Sequence, residues 1–167
     1  MFPISHFNIT RTPFYYYDKT LLSNTLAKLI RLAGERNYHI HYAVKANANP
    51  EILKLIAASG IGADCVSGGE IKAALEAGFP AKKIVFAGVG KADWEIEYAL
   101  EKKIFCFNVE SAEELSVIEE LAKKKENIAS IALRINPNID AHTHEYITTG
   151  LSENKFGIPI EMLDSIF

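Results

Sequence analysis

The sequence predicts an α/β fold: a parallel (β/α)8 barrel of the TIM type, of which the chain covers about five βα units, with an N-terminal strand outside the barrel. Five apolar, strand-like runs alternate with amphipathic helical patterns, which indicates parallel βα units. The runs follow one another at the spacing of a single βα unit between residues 40 and 135. A closed eight-stranded barrel needs about 250 residues, whereas this chain has 167. We therefore expect an incomplete barrel.

The chain is expected to divide into a short N-terminal part, residues 1–35, and a partial barrel, residues 36–167. "ITRTPFYYYD" predicts an aromatic strand outside the repeat, and a helix follows it. "HIHYAVKA" predicts the first barrel strand. "NPEILKLIAASG" predicts a helix with Asn49 as its N-cap, Pro50 in its first turn and Gly60 at its end.

The later units follow the same rhythm. The predicted strands are "IGADCVS", "KKIVFAG", "IFCFNV" and "IASIALRINP". "GGEIKAALEAGF" predicts a helix that ends at Gly78, "ADWEIEYALEKK" predicts another, and "SAEELSVIEELAKKK" begins with a Ser111-x-x-Glu114 capping box. Residues 136–159 show no periodicity and are expected to form a functional loop. A last helix is expected to begin at "IEMLDSIF".

A complete five-stranded doubly wound sheet is the alternative architecture. It predicts a glycine-rich phosphate turn after the first strand, but "KANANP" follows that strand here and contains no glycine. "GVGKAD" at 88–93 lacks the first glycine of a P-loop and has Ala92 where Ser or Thr is required. We interpret it as a turn between a strand and a helix.

Polar side chains occupy the carboxyl ends of four predicted strands. Side chains alternate between the two faces of a strand, and this alternation places Lys45 opposite the bulky apolar residues of its strand. Asp64, Asn108 and Arg134 have equivalent positions in the second, fourth and fifth strands. The active sites of β/α barrels lie at this end of the strands. We therefore expect these four side chains to converge, with Asp64 and Arg134 supplying the charged partners that a buried lysine needs.

A lysine inside such a mouth has a specific chemistry. Partial desolvation lowers the pKa of an amine, and a neutral amine attacks a carbonyl to form a Schiff base. The natural partner is an aldehyde cofactor, pyridoxal 5′-phosphate. A substrate aldehyde in an aldolase-like reaction would use the same chemistry, and the residues alone leave both open.

"YAVKAN", "GADCVSGGEIKAAL", "FPAKKIVFAGVGK", "FNVES" and "LRINPNIDAHTHEYITTGLSENKFGI" together resemble the barrel portion of the fold-type III pyridoxal-phosphate-dependent decarboxylases. The resemblance covers nearly the whole chain. It implies that Lys45 is the catalytic residue, which forms the Schiff base with pyridoxal 5′-phosphate. It also implies that Asp64 and Arg134 surround the cofactor, and that Ala43 is the small residue beneath it.

By the same resemblance, the expected reaction is decarboxylation of meso-2,6-diaminopimelate to L-lysine, the last step of lysine biosynthesis. The alternatives are a polyamine-pathway decarboxylase acting on ornithine, arginine or carboxynorspermidine, a non-catalytic cofactor-binding barrel, and an inactive regulatory relative. The full-length protein is expected to be a homodimer. Family members complete the site with groups expected beyond Phe167, including a C-terminal β-domain that residues 1–35 contact. These 167 residues alone are therefore expected to have little or no activity.

Composition excludes several classes of partner. A net charge of −3 with mixed signs argues against nucleic-acid binding. We expect no membrane association, because no apolar run has spanning length. Cys65 and Cys106 are expected to be reduced core residues of a cytoplasmic protein. His142-x-His144 with Glu145 lacks the remaining ligands of a metal site, so we expect no metal there and assign these residues to a loop at the barrel mouth.

Overall fold

The computed structural model describes residues 3–136 and 156–166. Its main sheet has five strands, all parallel, and each strand pairs with the next one in sequence. The strands are β1 His41–Ala43, β2 Gly62–Cys65, β3 Ile84–Phe86, β4 Cys106–Val109 and β5 Ile131–Leu133. A doubly wound sheet reverses its strand order at a switch point. The uninterrupted order found here confirms the predicted barrel arrangement.

The described ranges contain six α-helices, of which two precede β1 and four alternate with the strands. They are α1 Ile4–Phe7, α2 Lys19–Gly34, α3 Pro50–Ala58, α4 Gly68–Ala77, α5 Asp93–Lys102 and α6 Ala112–Lys124. From α3 onward, each helix contacts the next helix along the chain, which is the packing expected when successive helices cover the same face of the sheet. Within the described ranges, every helix is too short or too polar to cross a membrane.

Local capping residues set the helix ends, as the sequence predicts. The Asn49 side chain accepts hydrogen bonds from the first free amides of α3, those of Glu51 and Ile52. Gly78 follows α4 in the left-handed conformation with φ of 99°, which glycine adopts without a steric penalty. Because these signals lie within a few residues of the ends that they define, they can be read without knowledge of the tertiary fold.

The outward faces of the strands form the core together with the helices. Side chains at alternating strand positions are fully buried there: Ala63, Cys65, Ile84, Phe86, Phe107 and Val109. The helices contribute buried apolar residues: Ile52 and Ile56 one turn apart in α3, Ile71 in α4, Ile96 in α5, and Ile118 and Leu121 one turn apart in α6. Cys65 and Cys106 are both buried and free. Burial raises the pKa of the Cys65 thiol to about 12, so this thiol stays protonated and unreactive at neutral pH.

Two predicted strands differ from the structure. β1 ends at Ala43, and Val44–Ala46 forms a 3-10 turn instead of continuing the strand. The chain has to reverse here because α3 begins at Pro50. The fifth run divides at Arg134, whose amide bonds to β4 through Val109 O while its carbonyl accepts from Ile158 N. The backbone thus exchanges one sheet partner for another at Arg134.

The residues that follow Arg134 form a separate pair of strands. β6, Ile135–Asn136, pairs in parallel with β7, Ile158–Pro159. The predicted final helix is a 3-10 helix, Ile160–Ser165. The predicted N-terminal strand is also wrong: Phe14–Tyr17 has no regular structure, because no described strand lies alongside to share its backbone hydrogen bonds. The division of the chain at residues 35 and 36 stays a prediction.

Gly62 lies where β1, β2 and β3 approach closely. An ideal Cβ at this position would lie 2.4 Å from Cδ2 of His41 and 2.5 Å from the carbonyl oxygen of Lys83. Since the second contact involves backbone, it cannot be relieved by a change of rotamer. The sheet therefore requires a residue without a side chain at the start of β2.

Substitution of Gly62 by alanine should destabilise the protein by about 1–3 kcal/mol, the usual cost of overpacking. The matched control is Gly34→Ala at the end of α2, where an added Cβ has no described neighbour within 4 Å and where alanine favours the helix. Thermal unfolding of the full-length variants measures both changes. A Gly62→Ala protein as stable as the Gly34→Ala protein would contradict this account of the sheet.

Candidate active site

A cavity of about 400 Å³ opens at the carboxyl ends of the strands. It is lined by Lys45, Asp64, Val66, Ala87, Asn108, Glu110, Ala132, Leu133 and Arg134. The structure thus brings together all four polar residues that strand alternation placed at this end. Ala43 is not among the lining residues and lies opposite Asp64 in the ladder between β1 and β2. Whether Ala43, Lys45, Asp64 and Arg134 bind a cofactor stays a prediction.

Lys45 is more accessible than the sequence analysis expected. Because β1 ends at Ala43, Lys45 lies in the 3-10 turn after the strand, and the residue is exposed. The expected burial of this lysine is therefore wrong for the described structure. Across residues 3–136 and 156–166, its Nζ forms neither a hydrogen bond nor an ion pair, so the amine is sterically and chemically available to a molecule in the cavity.

Asp64 provides a carboxylate with unused hydrogen-bonding capacity. Its Oδ1 atom is buried and has no hydrogen-bond partner within the described part of the chain. Burial raises the pKa of Asp64, while the positive charges of Lys45 and His41 oppose the rise. A buried acceptor without a donor is costly. A ligand that offers a donor or a positive charge to Oδ1 would therefore gain affinity from it.

Glu110 is a cavity residue that the sequence analysis missed. The Nη1 atom of Arg134 donates to both carboxylate oxygens of Glu110, over 3.0 and 3.3 Å. The Glu110 side chain is 8% exposed and that of Arg134 is 46% exposed. This pair fixes one edge of the guanidinium. Within residues 3–136 and 156–166, the other N–H groups of the Arg134 guanidinium make no hydrogen bond, so they can bind an anion. The Arg134 guanidinium also lies over the Phe156 ring, 5.5 Å from its centre.

The turn from β4 into α6 explains why Glu110 points into the cavity. Ser111 caps α6 as predicted, since its Oγ accepts from Glu114 N. The Glu114 carboxylate, however, accepts from Glu110 N, 2.8 Å away, instead of from the N-cap amide. The predicted capping box is therefore displaced by one residue. It holds the backbone of Glu110 instead of that of Ser111.

The turn from β2 into α4 has the same construction. Ser67 Oγ accepts from Glu70 N, and the Glu70 carboxylate accepts from Val66 N over 2.8 Å. Val66 and Glu110 are thus equivalent positions, and both line the cavity. "VSGGE" and "ESAEE" share the Ser-x-x-Glu spacing that could have revealed this repeat in the sequence.

A second lysine near the cavity has a contrasting environment. Lys91 follows β3 and its side chain has no exposed surface. Its Nζ donates to Gly88 O, to Asn108 O and to the Glu114 carboxylate. All three protons of this ammonium group are used, so Lys91 is unavailable for covalent chemistry, whereas Lys45 is available.

The cavity therefore combines three functions. Lys45 presents an amine that can add to a carbonyl, Arg134 presents an oriented cation for anionic groups, and Asp64 presents a free acceptor. These residues fit an anionic aldehyde such as pyridoxal 5′-phosphate. His142, His144 and Glu145 lie outside the described residues, and among the described residues no cluster of His, Cys, Asp and Glu has the arrangement of a metal site.

Comparison with known proteins gives a consistent family. Residues 23–166 match the family described as pyridoxal-dependent decarboxylase, pyridoxal binding domain. The chain is 60% identical over 167 residues to a diaminopimelate decarboxylase of Bacteroides thetaiotaomicron. The match covers 99% of this chain and 43% of that protein, so the chain spans less than half the length of this relative.

Solved structures agree with the sequence match. The diaminopimelate decarboxylase of Helicobacter pylori, complexed with L-lysine, has a TM-score of 0.85 at 46% identity, over 98% of this chain and 42% of that one. The enzyme of M. jannaschii, in co-complex with L-lysine, has a TM-score of 0.83 at 39% identity, over 98% of this chain and 39% of that one.

The pKa of Asp64 predicts a specific pH dependence. Because burial raises this pKa, the folded protein holds the proton more tightly than the unfolded chain, and folding stability is lost as the pH rises through the folded pKa. Asp64→Asn removes that loss. The stability of Asp64→Asn minus that of wild type should therefore increase as the pH is raised to neutrality from below about 3.9, the ordinary pKa of aspartate.

Thermal unfolding of the cofactor-free, full-length protein across this pH range measures the difference. Asp93→Asn, at an exposed position in the first turn of α5, serves as the control for removal of a surface carboxylate. A relative stability of Asp64→Asn that stays constant or falls as the pH rises would contradict the assignment.

Proposed function

The chain belongs to the pyridoxal-dependent decarboxylases, whose pyridoxal-binding domain it matches over residues 23–166, and from this premise we propose that it is part of a diaminopimelate decarboxylase. The proposed reaction converts meso-2,6-diaminopimelate to L-lysine with pyridoxal 5′-phosphate as cofactor. The relative from Bacteroides thetaiotaomicron carries this enzyme name. The two solved structures contain L-lysine, which is the product of that reaction.

The proposal rests on the amine of Lys45, which lines the cavity and has no hydrogen-bond or ion-pair partner among the residues that the structure describes. A volume of about 400 Å³ lies within the range of small-molecule sites. Lys91 has a satisfied ammonium group, so its amine does not compete for the cofactor aldehyde. The cavity thus offers Lys45 as its nucleophile.

The remaining residues bind and orient. Arg134, held by Glu110, supplies a fixed positive charge for an anionic group of the cofactor or substrate. Asp64 supplies an acceptor whose affinity for a proton is increased by burial. Ala43 lies opposite Asp64 in register, and its small side chain leaves room beneath a planar ring. When bound, the cofactor supplies an electron sink for the pair left behind by carbon dioxide.

Lys45 has two tasks in this proposal. Its Nζ would hold the cofactor through the aldehyde group of the cofactor. The free Nζ can then deliver the proton that takes the place of the departed carboxyl group. Both tasks need an amine at the mouth that is not engaged with another side chain, which is the situation of Lys45 in the described residues.

The whole protein extends the proposal. The chain spans 43% of its relative from Bacteroides thetaiotaomicron, so activity is proposed for the full-length protein. We propose that this protein is a cytoplasmic homodimer. The free, buried Cys65 and Cys106 are compatible with a reducing compartment. The exposed aromatic residues of Phe14–Tyr17 offer apolar surface that further protein could cover.

Lys45→Ala in the full-length protein should lower kcat for meso-2,6-diaminopimelate by roughly 10³-fold or more, as removal of a covalent catalytic group does. Borohydride reduction of the wild-type protein loaded with cofactor should leave a stable adduct on the peptide that contains Lys45. Peptide mass spectrometry locates it. Lys124→Ala, in an exposed ion pair on α6, should leave both the turnover and the adduct unchanged.

A substrate panel tests the specificity. Faster carbon dioxide release from ornithine, arginine or carboxynorspermidine would replace the proposed substrate by a polyamine precursor. Cofactor binding without carbon dioxide release from any of these amino acids would indicate a non-catalytic barrel. An adduct on a lysine other than Lys45 would overturn the assignment of the nucleophile.

A further inference from the structure

Lys91 and Glu114 form a buried ion pair beside the cavity that has no direct part in the proposed chemistry. The Lys91 side chain has no exposed surface and that of Glu114 is 14% exposed. The Lys91 ammonium group also donates to Gly88 O over 2.5 Å and to Asn108 O over 2.8 Å, and it lies 5.3 Å from the centre of the Phe86 ring. Each charge is thus fully compensated.

The pair forms hydrogen bonds with the backbone at two points near the carboxyl end of β4. Lys91 binds the carbonyl group of Asn108, and Glu114 binds the amide group of Glu110. These two contacts bracket Val109, which is fully buried in the core. The side chains of Asn108 and Glu110 both line the cavity, so the ion pair controls the backbone from which two cavity residues project.

Glu110 passes this constraint to the next strand. Its carboxylate receives both hydrogen bonds from Nη1 of Arg134, which is otherwise half-exposed at the point where the chain leaves β5. A displacement of Glu110 would therefore change the orientation of the guanidinium group. A continuous path of polar contacts leads from Lys91 through Glu114 and Glu110 to Arg134.

The equivalent turn after β2 shows that the cap itself does not need a lysine. Glu70 binds Val66 N just as Glu114 binds Glu110 N. Across the described residues, however, the Glu70 carboxylate has no lysine partner. Lys91 is thus an addition at the β4 turn, where the cavity residue is a charged glutamate instead of a valine.

Stability alone gives little reason for such a pair, since a buried ion pair can often be replaced by apolar residues without loss. Resting on the proposed function, we propose that Lys91 and Glu114 are positioning residues for the active site. They hold Glu110, and through it Arg134, in the orientation that binds the anionic part of the cofactor or substrate. Neither residue touches the reacting atoms.

The experiment uses full-length Lys91→Met and Glu114→Gln proteins. Methionine fills similar space without charge, and glutamine keeps an acceptor for Glu110 N while removing the ion pair. Each variant should raise the Kd for pyridoxal 5′-phosphate, or lower kcat/KM, roughly tenfold to hundredfold, because small misplacements of binding groups have effects of this size. Lys124→Met and Glu120→Gln change an exposed ion pair on α6, the helix that carries Glu114. Their cofactor Kd and kcat/KM should stay within about twofold of the wild-type values.

A double-mutant comparison separates positioning from a general structural effect. In an Arg134→Gln background, Lys91→Met should change the cofactor Kd much less than in the wild-type background, because the part of its effect that passes through Arg134 is then absent. Equal effects in the wild-type and Arg134→Gln backgrounds would overturn the proposal. If Lys91→Met fails to fold, the same comparison with Glu114→Gln decides the question.

Amide hydrogen exchange in the cofactor-free protein gives a readout that needs no turnover. Exchange at Glu110 should be faster in Lys91→Met than in wild type and Lys124→Met, and unchanged exchange would overturn the proposal. A wild-type protein that binds the cofactor but releases no carbon dioxide would contradict the proposed function alone, since the cofactor Kd values would still decide the positioning role. Failure of the wild-type protein to bind the cofactor would contradict both the proposed function and the positioning role of Lys91 and Glu114.

Discussion

The register of the parallel sheet is the constraint on which the cavity depends. Hydrogen bonding aligns Ala43 with Asp64 and Asn108 with Ala132, and aligned residues of neighbouring parallel strands face the same side. A shift of β2 by one residue would place the Asp64 side chain on the face that Ala63 now occupies, against the helices. The burial of apolar side chains on one face therefore fixes the charged groups on the other. Packing of the core and assembly of the cavity are two results of the same alignment.

The charged side chains of the cavity differ in whether they have a partner of opposite charge. Glu110 is matched by Arg134 across two short contacts, whereas one oxygen of Asp64 has no described partner. The paired groups form a fixed wall. Within the described residues, Oδ1 of Asp64 and the amine of Lys45 make no hydrogen bond, so these are the groups to which a ligand can bind. Rigidity and reactivity thus belong to different side chains of one small site.

Local rules predicted much of the fold, and non-local contacts account for the rest. Helix caps such as Asn49 lie next to the amides that they bind, and strand alternation located Asp64 without knowledge of its neighbours. Glu110 was missed because its partner, Arg134, lies on a different strand. Lys91 was read as an ordinary turn residue because the two strands and the helix that enclose it come together only in three dimensions. The burial expected for Lys45 was wrong because β1 ends at Ala43, three residues before the end of the predicted strand.

The two matching Ser-x-x-Glu turns have a consequence for how this protein can diverge. In each turn, serine and glutamate hold the backbone, while the residue that faces the cavity, Val66 in one and Glu110 in the other, contributes no side-chain bond to the cap. Different residues of the same short segment therefore determine the shape of the turn and the side chain that it presents to a ligand. Substitutions at Val66 or Glu110 can therefore alter ligand preference while the turn keeps its conformation. Ligand specificity can change at these two positions during evolution with little effect on the fold.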